Sequence, residues 1–67
     1  MSLFRSLDVL GGALLASLGN EMKFRQVSTR VLLRTGVNLR EPRPEQIQDP
    51  VAFGKVTTAL ADMGYTL

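Results

Sequence analysis

The stretch that most constrains the fold is residues 2–19, because it carries the densest apolar pattern of the chain. On an α-helix, which turns about 100° per residue, its leucines fall within about 80° of one another. These leucines are Leu3, Leu7, Leu10, Leu14 and Leu18. Ser2 is a suitable N-cap, and Gly19 is a suitable C-terminal stop. The pattern therefore predicts a helix over residues 2–18.

A pair of glycines, Gly11 and Gly12, interrupts this helix at its middle. Two glycines cost a helix about 2 kcal/mol relative to two alanines, so they need a structural reason. Three explanations are open: close packing inside the chain's own core, close packing against another subunit, or a break into two short helices. The side opposite the leucines carries Gly12, Ala13 and Ala16, which would let a second backbone approach closely.

A second helix is predicted over residues 20–34, with Asn20 as its cap and Gly36 as its stop. Helical spacing places Phe24, Val27 and Val31 on one face. The same stretch also alternates in polarity, which makes an α+β fold with a strand near residues 26–34 the alternative. The helix is favoured because no other segment alternates and a lone strand would have no partner.

Residues 36–48 are predicted to be a connector, because Pro42 and Pro44 push the residues before them out of the helical conformation. Pro44 to Ile47 is long enough for one short helical turn within it. Asp49 and Pro50 then form an N-cap and first-position proline, which predicts a third helix over residues 50–63. Its apolar face comprises Ala52, Phe53, Val56, Ala59, Leu60 and Met63. The fold class predicted is all-α, with three helices and a proline-containing connector before the third.

Composition limits the chemistry that this chain can perform. The 67 residues include no cysteine and no histidine, which excludes disulfides, thiolate sites and structural zinc. The remaining acids, lysines and single tyrosine form no persuasive acid-base pair. We therefore predict no catalytic residue, no metal, no cofactor and no small-molecule substrate. Because so short a chain gains little net stability from its own core, association is the remaining way to stabilise it.

Charge is concentrated in the middle of the chain. Residues 21–43 hold six basic side chains against two acidic ones. The basic ones are Lys23, Arg25, Arg30, Arg34, Arg40 and Arg43. Arginine forms bidentate contacts with phosphate and carboxylate. This segment is interpreted as a solvated face, a contact to an acidic protein, or a contact to nucleic acid.

These observations lead to two hypotheses about function. The first is a non-enzymatic interaction or assembly subunit that is ordered in an oligomer or larger complex, with a protein partner or self-association. Its predicted interface comprises Leu3, Leu7, Leu10, Leu14, Gly12 and Ala16. The alternative is a small nucleic-acid-binding protein that uses Lys23, Arg30, Arg34, Arg40 and Arg43.

Membrane and export interpretations are disfavoured. The apolar or small run from Val9 to Leu18 is about half as long as a membrane span. Asp8 interrupts the apolar core that a signal peptide would need. A helix lying on a membrane surface would carry more lysine and arginine on its polar face. The predicted location is therefore cytoplasmic or within a soluble assembly.

Overall fold

The computed structural model describes residues 6–65, which form four α-helices and no strand. The helices are α1 (Leu7–Leu18), α2 (Glu21–Thr35), α3 (Pro44–Ile47) and α4 (Pro50–Asp62). The main packing contacts join α1 to α2, α2 to α4, α4 to α3, and α3 to α1. The all-α prediction is confirmed, and the α+β alternative is wrong.

Helix α1 begins later than predicted. Ser6 is extended, with φ −115° and ψ 147°, and it occupies the N-cap position before Leu7. Ser2 and Leu3 lie outside the described residues. The end of the helix is confirmed, because Gly19 adopts the left-handed conformation with φ 63°. The helix is continuous through Gly11 and Gly12, so of the three open explanations for the glycine pair, a break into two short helices is excluded.

Gly11 is buried because the backbone of the connector passes directly over it. A Cβ atom at this position would lie only 3.0 Å from the carbonyl oxygen of Leu39. Close packing inside the chain's own core is therefore the explanation for Gly11. Gly12 differs, since it is exposed and a Cβ there would meet nothing within 4 Å.

Helix α2 is stabilised at its start by the Asn20 side chain, which accepts a hydrogen bond from the Lys23 backbone N–H at 3.2 Å. Its buried residues share one side of the helix, with three or four positions between successive turns, and are Phe24, Val27, Ser28 and Val31. A strand would have placed Leu33 on the same side as Val27 and Val31. Leu33 is instead 81% exposed, which is why the alternating pattern was misleading.

The connector between α2 and α3 contributes to the core, which the sequence analysis missed. Val37 and Leu39 are almost completely buried. The Thr35 hydroxyl donates to the Val31 carbonyl at 2.7 Å and accepts from the Val37 N–H at 3.1 Å, which turns the chain inward. Helix α3 then forms the single short turn predicted for Pro44 to Ile47.

Helix α4 is capped by Asp49, whose carboxylate accepts a hydrogen bond from the Val51 N–H at 3.0 Å. The chain then folds back, as the Tyr65 N–H donates to the Leu60 carbonyl at 2.8 Å. The predicted apolar face is confirmed, with Phe53 and Met63 packed partly buried against the core. The buried core residues are Leu7, Leu10, Leu14, Phe24, Val27, Val31, Val37, Leu39, Ala52, Val56 and Leu60.

One buried side chain in this core has an unpaired polar atom. Ser28 as a whole residue is 1% exposed. Its hydroxyl has no hydrogen-bond partner among the described residues. A buried hydroxyl without a partner destabilises the folded state. The surroundings of Ser28 are the apolar core, so this group is not part of a site.

Candidate functional site

Three of the four leucines of the predicted interface lie inside the protein, and the fourth, Leu3, lies outside the described residues. Leu7, Leu10 and Leu14 are 0%, 2% and 0% exposed and belong to the core of the same chain. They are therefore not a surface that a partner can reach in this fold. Gly12 and Ala16 are exposed on the opposite side of α1. Together with Asp8 and Val9, they form what we call the α1 outer face.

The α1 outer face carries one charged side chain among its four residues, Asp8. Hydrogen bonds from the Ser6 side chain and from the Val9 backbone hold the pKa of the Asp8 carboxyl below its usual value. Asp8 is therefore ionised at neutral pH. The other three residues are Val9, which is 45% exposed, and the small residues Gly12 and Ala16.

A groove of about 620 Å³ runs along α4 beside the C-terminal end of α2. We call it the α2–α4 groove. It is lined by Arg34, Thr35, Pro50, Val51, Gly54, Lys55, Thr58, Ala59 and Asp62. Much of this lining consists of small or uncharged side chains, and Val51 is 63% exposed. A helix or an extended segment would therefore meet little steric obstruction along it.

Two cations and one acid line the α2–α4 groove. Arg34 Nη1 lies 3.8 Å from Asp62 Oδ2, and both side chains are more than half exposed. This is the one ion pair found among residues 6–65. Lys55 therefore gives the groove an excess positive charge. Lys55 is far from Arg34 in the sequence, and the two residues line one groove only because α4 packs on α2.

A second concavity of about 370 Å³ lies on α2. We call it the basic cleft. It is lined by Lys23, Gln26, Val27, Arg30 and Tyr65. The described residues that line it include two cations and no carboxylate. Tyr65 reaches it because the chain folds back after α4.

The structure divides the predicted basic set instead of bringing it together. Lys23 and Arg30 share the basic cleft, whereas Arg34 lies in the α2–α4 groove beside Asp62. Arg40 lines another depression with Glu21, on the opposite side of α2 from Arg30. Arg43 precedes α3, which packs against α1 and α4.

Two residues of the basic cleft, Gln26 and Tyr65, were not predicted as site residues. Gln26 follows Lys23 by three positions and precedes Arg30 by four, so helical spacing alone would place it between them. The fold-back of Tyr65 depends on contacts between distant parts of the chain. No local sequence signal indicates that Tyr65 meets α2.

Within residues 6–65, no group of three acidic, histidine or cysteine residues is placed to hold a metal ion. In the same range, no helix has the length and apolar character needed to cross a membrane.

Comparisons with known proteins do not assign a family. No protein-family model, no curated protein and no solved structure matches this chain. The candidate functional surfaces of this chain are therefore the α1 outer face, the α2–α4 groove and the basic cleft.

Proposed function

We propose that this chain is a non-enzymatic assembly subunit whose copies associate head to tail. In this arrangement the α1 outer face of one copy occupies the α2–α4 groove of the next. The observation that carries the proposal is the groove itself, with its small, mostly uncharged lining and its excess of positive charge.

The lining of the groove specifies the kind of segment that it would bind. Gly54, Thr58 and Ala59 have small side chains, so a partner helix can approach to the short end of the usual interaxial range of about 8–10 Å. Lys55 and Arg34 favour a segment that carries a carboxylate. The expected occupant is therefore a helix with small residues and one acidic side chain on its contacting face.

The α1 outer face meets this description within the same chain. Gly12 and Ala16 are small and exposed, Val9 is an apolar anchor, and Asp8 supplies the carboxylate. The lengths also match, because the 12 residues of α1 and the 13 residues of α4 span about 18 and 20 Å. This contact preserves the predicted role of Gly12 and Ala16 at a subunit interface.

A head-to-tail contact joins two different surfaces, so it does not saturate in a dimer unless the rotation between copies closes a ring. We therefore expect a molar mass above the 7.4 kDa of one chain, rising with protein concentration if the assembly stays open. Light scattering coupled to size-exclusion chromatography measures this mass. A monomer at all accessible concentrations would overturn the proposal.

Two substitutions block the two sides of the contact separately. Gly54→Leu fills the groove, and Gly12→Leu fills the α1 outer face. A Cβ at either position meets nothing within 4 Å, so each variant is expected to fold. Each variant alone should be monomeric. Ala61→Leu is the matched control, because Ala61 is exposed on α4 but does not line the groove.

Mixing the two blocked variants tests the pairing directly. The Gly54→Leu chain retains a free α1 outer face, and the Gly12→Leu chain retains a free groove. Their mixture should form a 1:1 complex that neither variant forms alone. If the mixture stays monomeric while the wild type associates, the copies use other surfaces. A monomeric wild type whose groove binds an unlike acidic protein would also contradict self-association.

A further inference from the structure

We propose that the basic cleft binds single-stranded nucleic acid. Lys23 and Arg30 contact phosphates, Tyr65 contacts a base, and Gln26 supplies hydrogen bonds to a base edge. This is a second function, on a surface that does not overlap the α2–α4 groove. It also narrows the predicted nucleic-acid set, because Arg34, Arg40 and Arg43 do not line the cleft. Arg34 lies one turn beyond Arg30 on α2, but it lines the α2–α4 groove and pairs with Asp62.

The spacing of the two cations suits a chain of phosphates better than a single anion. Lys23 and Arg30 are seven residues apart on α2, which is about two turns or 10 Å along the helix axis. They lie on the same side of α2 with Gln26 and Val27 between them. No acidic side chain among the described residues lines the cleft, so both cations add to one positive field.

Tyr65 provides the feature that distinguishes a single strand from a duplex. Its backbone N–H is fixed by the Leu60 carbonyl, and its side chain packs partly buried against the core. Tyr65 is therefore held at the wall of the cleft before any ligand binds. A base can stack on such a ring only when it is unpaired from a partner strand and separated from a stacked neighbour, and aromatic contacts of this kind are typical of single-strand binding.

The binding test uses a fluorescently labelled oligothymidine and measures its anisotropy. Two phosphate contacts predict a slope of about −1.4 for the logarithm of affinity against the logarithm of salt concentration. The double variant Lys23→Gln/Arg30→Gln should lose at least about tenfold in affinity. Both side chains are exposed, so circular dichroism should show unchanged helix content.

A matched double variant separates the cleft from overall charge. Arg25→Gln/Arg40→Gln also removes two positive charges from a chain of net charge +2, but at exposed positions outside the cleft. It should bind nearly as well as the wild type at moderate salt. Equal losses for the two double variants would show that only net charge matters, and this would overturn the proposal.

The tyrosine provides its own readout, because the chain contains one tyrosine and no tryptophan. The lifetime of its intrinsic fluorescence should shorten when oligothymidine binds. Tyr65→Phe should retain affinity within about twofold, whereas Tyr65→Leu should lose at least about fivefold because leucine cannot stack on a base.

Three other results would contradict the proposal. The first is an absence of binding at about 50 mM salt, where two phosphate contacts should still be favourable. The second is a duplex of the same length that binds as tightly as the single strand. The third is displacement of the oligonucleotide by polyglutamate at equal charge concentration, which would assign the cleft to an acidic protein.

Discussion

Gly11 and Gly12 are neighbours in α1, yet their surroundings impose opposite requirements. Gly11 lies beneath the Leu39 carbonyl, at a distance that leaves little room for a methyl group. Gly12 faces away from the fold, where a methyl group has free space. The helix propensity of alanine favours both substitutions equally, so any difference between them measures the packing of the connector.

We predict that Gly12→Ala stabilises the monomer by up to about 1 kcal/mol through helix propensity. Gly11→Ala should instead destabilise it, because the buried connector has to move away from the new methyl group. Urea unfolding followed by circular dichroism, at a concentration where the chain is monomeric, measures both. Equal stabilisation by the two substitutions would show that the connector yields without cost.

At the residue scale, helical periodicity predicted the buried positions of α1, α2 and α4 well. It failed at Ser28, which is buried although it is polar. Leu33, which helical spacing leaves off the apolar face, is exposed as that spacing predicts. The sequence alone did not show why a glycine stands at position 11, inside a helix. Its partner, Leu39, is distant along the chain, and a local pattern does not show which backbone covers a glycine.

At the scale of whole elements, the ends of the helices were the most predictable features. Asn20 and Asp49 cap α2 and α4 as expected, since their side chains bond to backbone N–H groups within three residues. The start of α1 was misplaced, because serine occurs at both positions 2 and 6 and each is a suitable cap. The buried part of the connector was missed because Val37 and Leu39 are too few to show a helical pattern.

The N-cap of α4 gives a prediction at this scale. Asp49→Ala should destabilise the fold by about 1 kcal/mol, because the Val51 N–H loses its side-chain acceptor. Asp49→Ser, which retains an acceptor oxygen, should stay close to the wild type. Thermal unfolding of the three proteins measures the difference. If alanine and serine variants melt together, the cap contributes nothing to stability.

At the scale of the whole molecule, the basic residues were predicted as one set because they are close in sequence. In the fold, Lys23, Arg30 and Arg34 share one side of α2, where Arg34 pairs with Asp62, and Arg40 and Arg43 lie in the connector before α3. Lys23 and Arg30 do line the same cleft, and their spacing of seven residues on one helix is enough to predict that they are neighbours. The position of Lys55 in the groove and that of Tyr65 in the cleft depend on how α4 packs against α2. A local stretch of sequence does not show this packing.

Association should be visible in the stability of the whole molecule. If copies associate only when folded, the melting temperature of the wild type should rise with protein concentration. The melting temperature of Gly54→Leu should stay constant over the same range, because its groove is filled. Scanning calorimetry over a hundredfold range of concentration measures both. A concentration dependence that is the same for the two proteins would place the contact outside the groove.

The burial of Val37 and Leu39 also determines where the chain can change in length. Extra residues placed between Leu39 and Pro44 would extend a mostly exposed loop and leave the contact with Gly11 intact. Extra residues between Gly36 and Leu39 would displace two core side chains at once. An epitope or a labelling sequence is therefore best inserted after Arg40, and natural variation in loop length is expected at the same place.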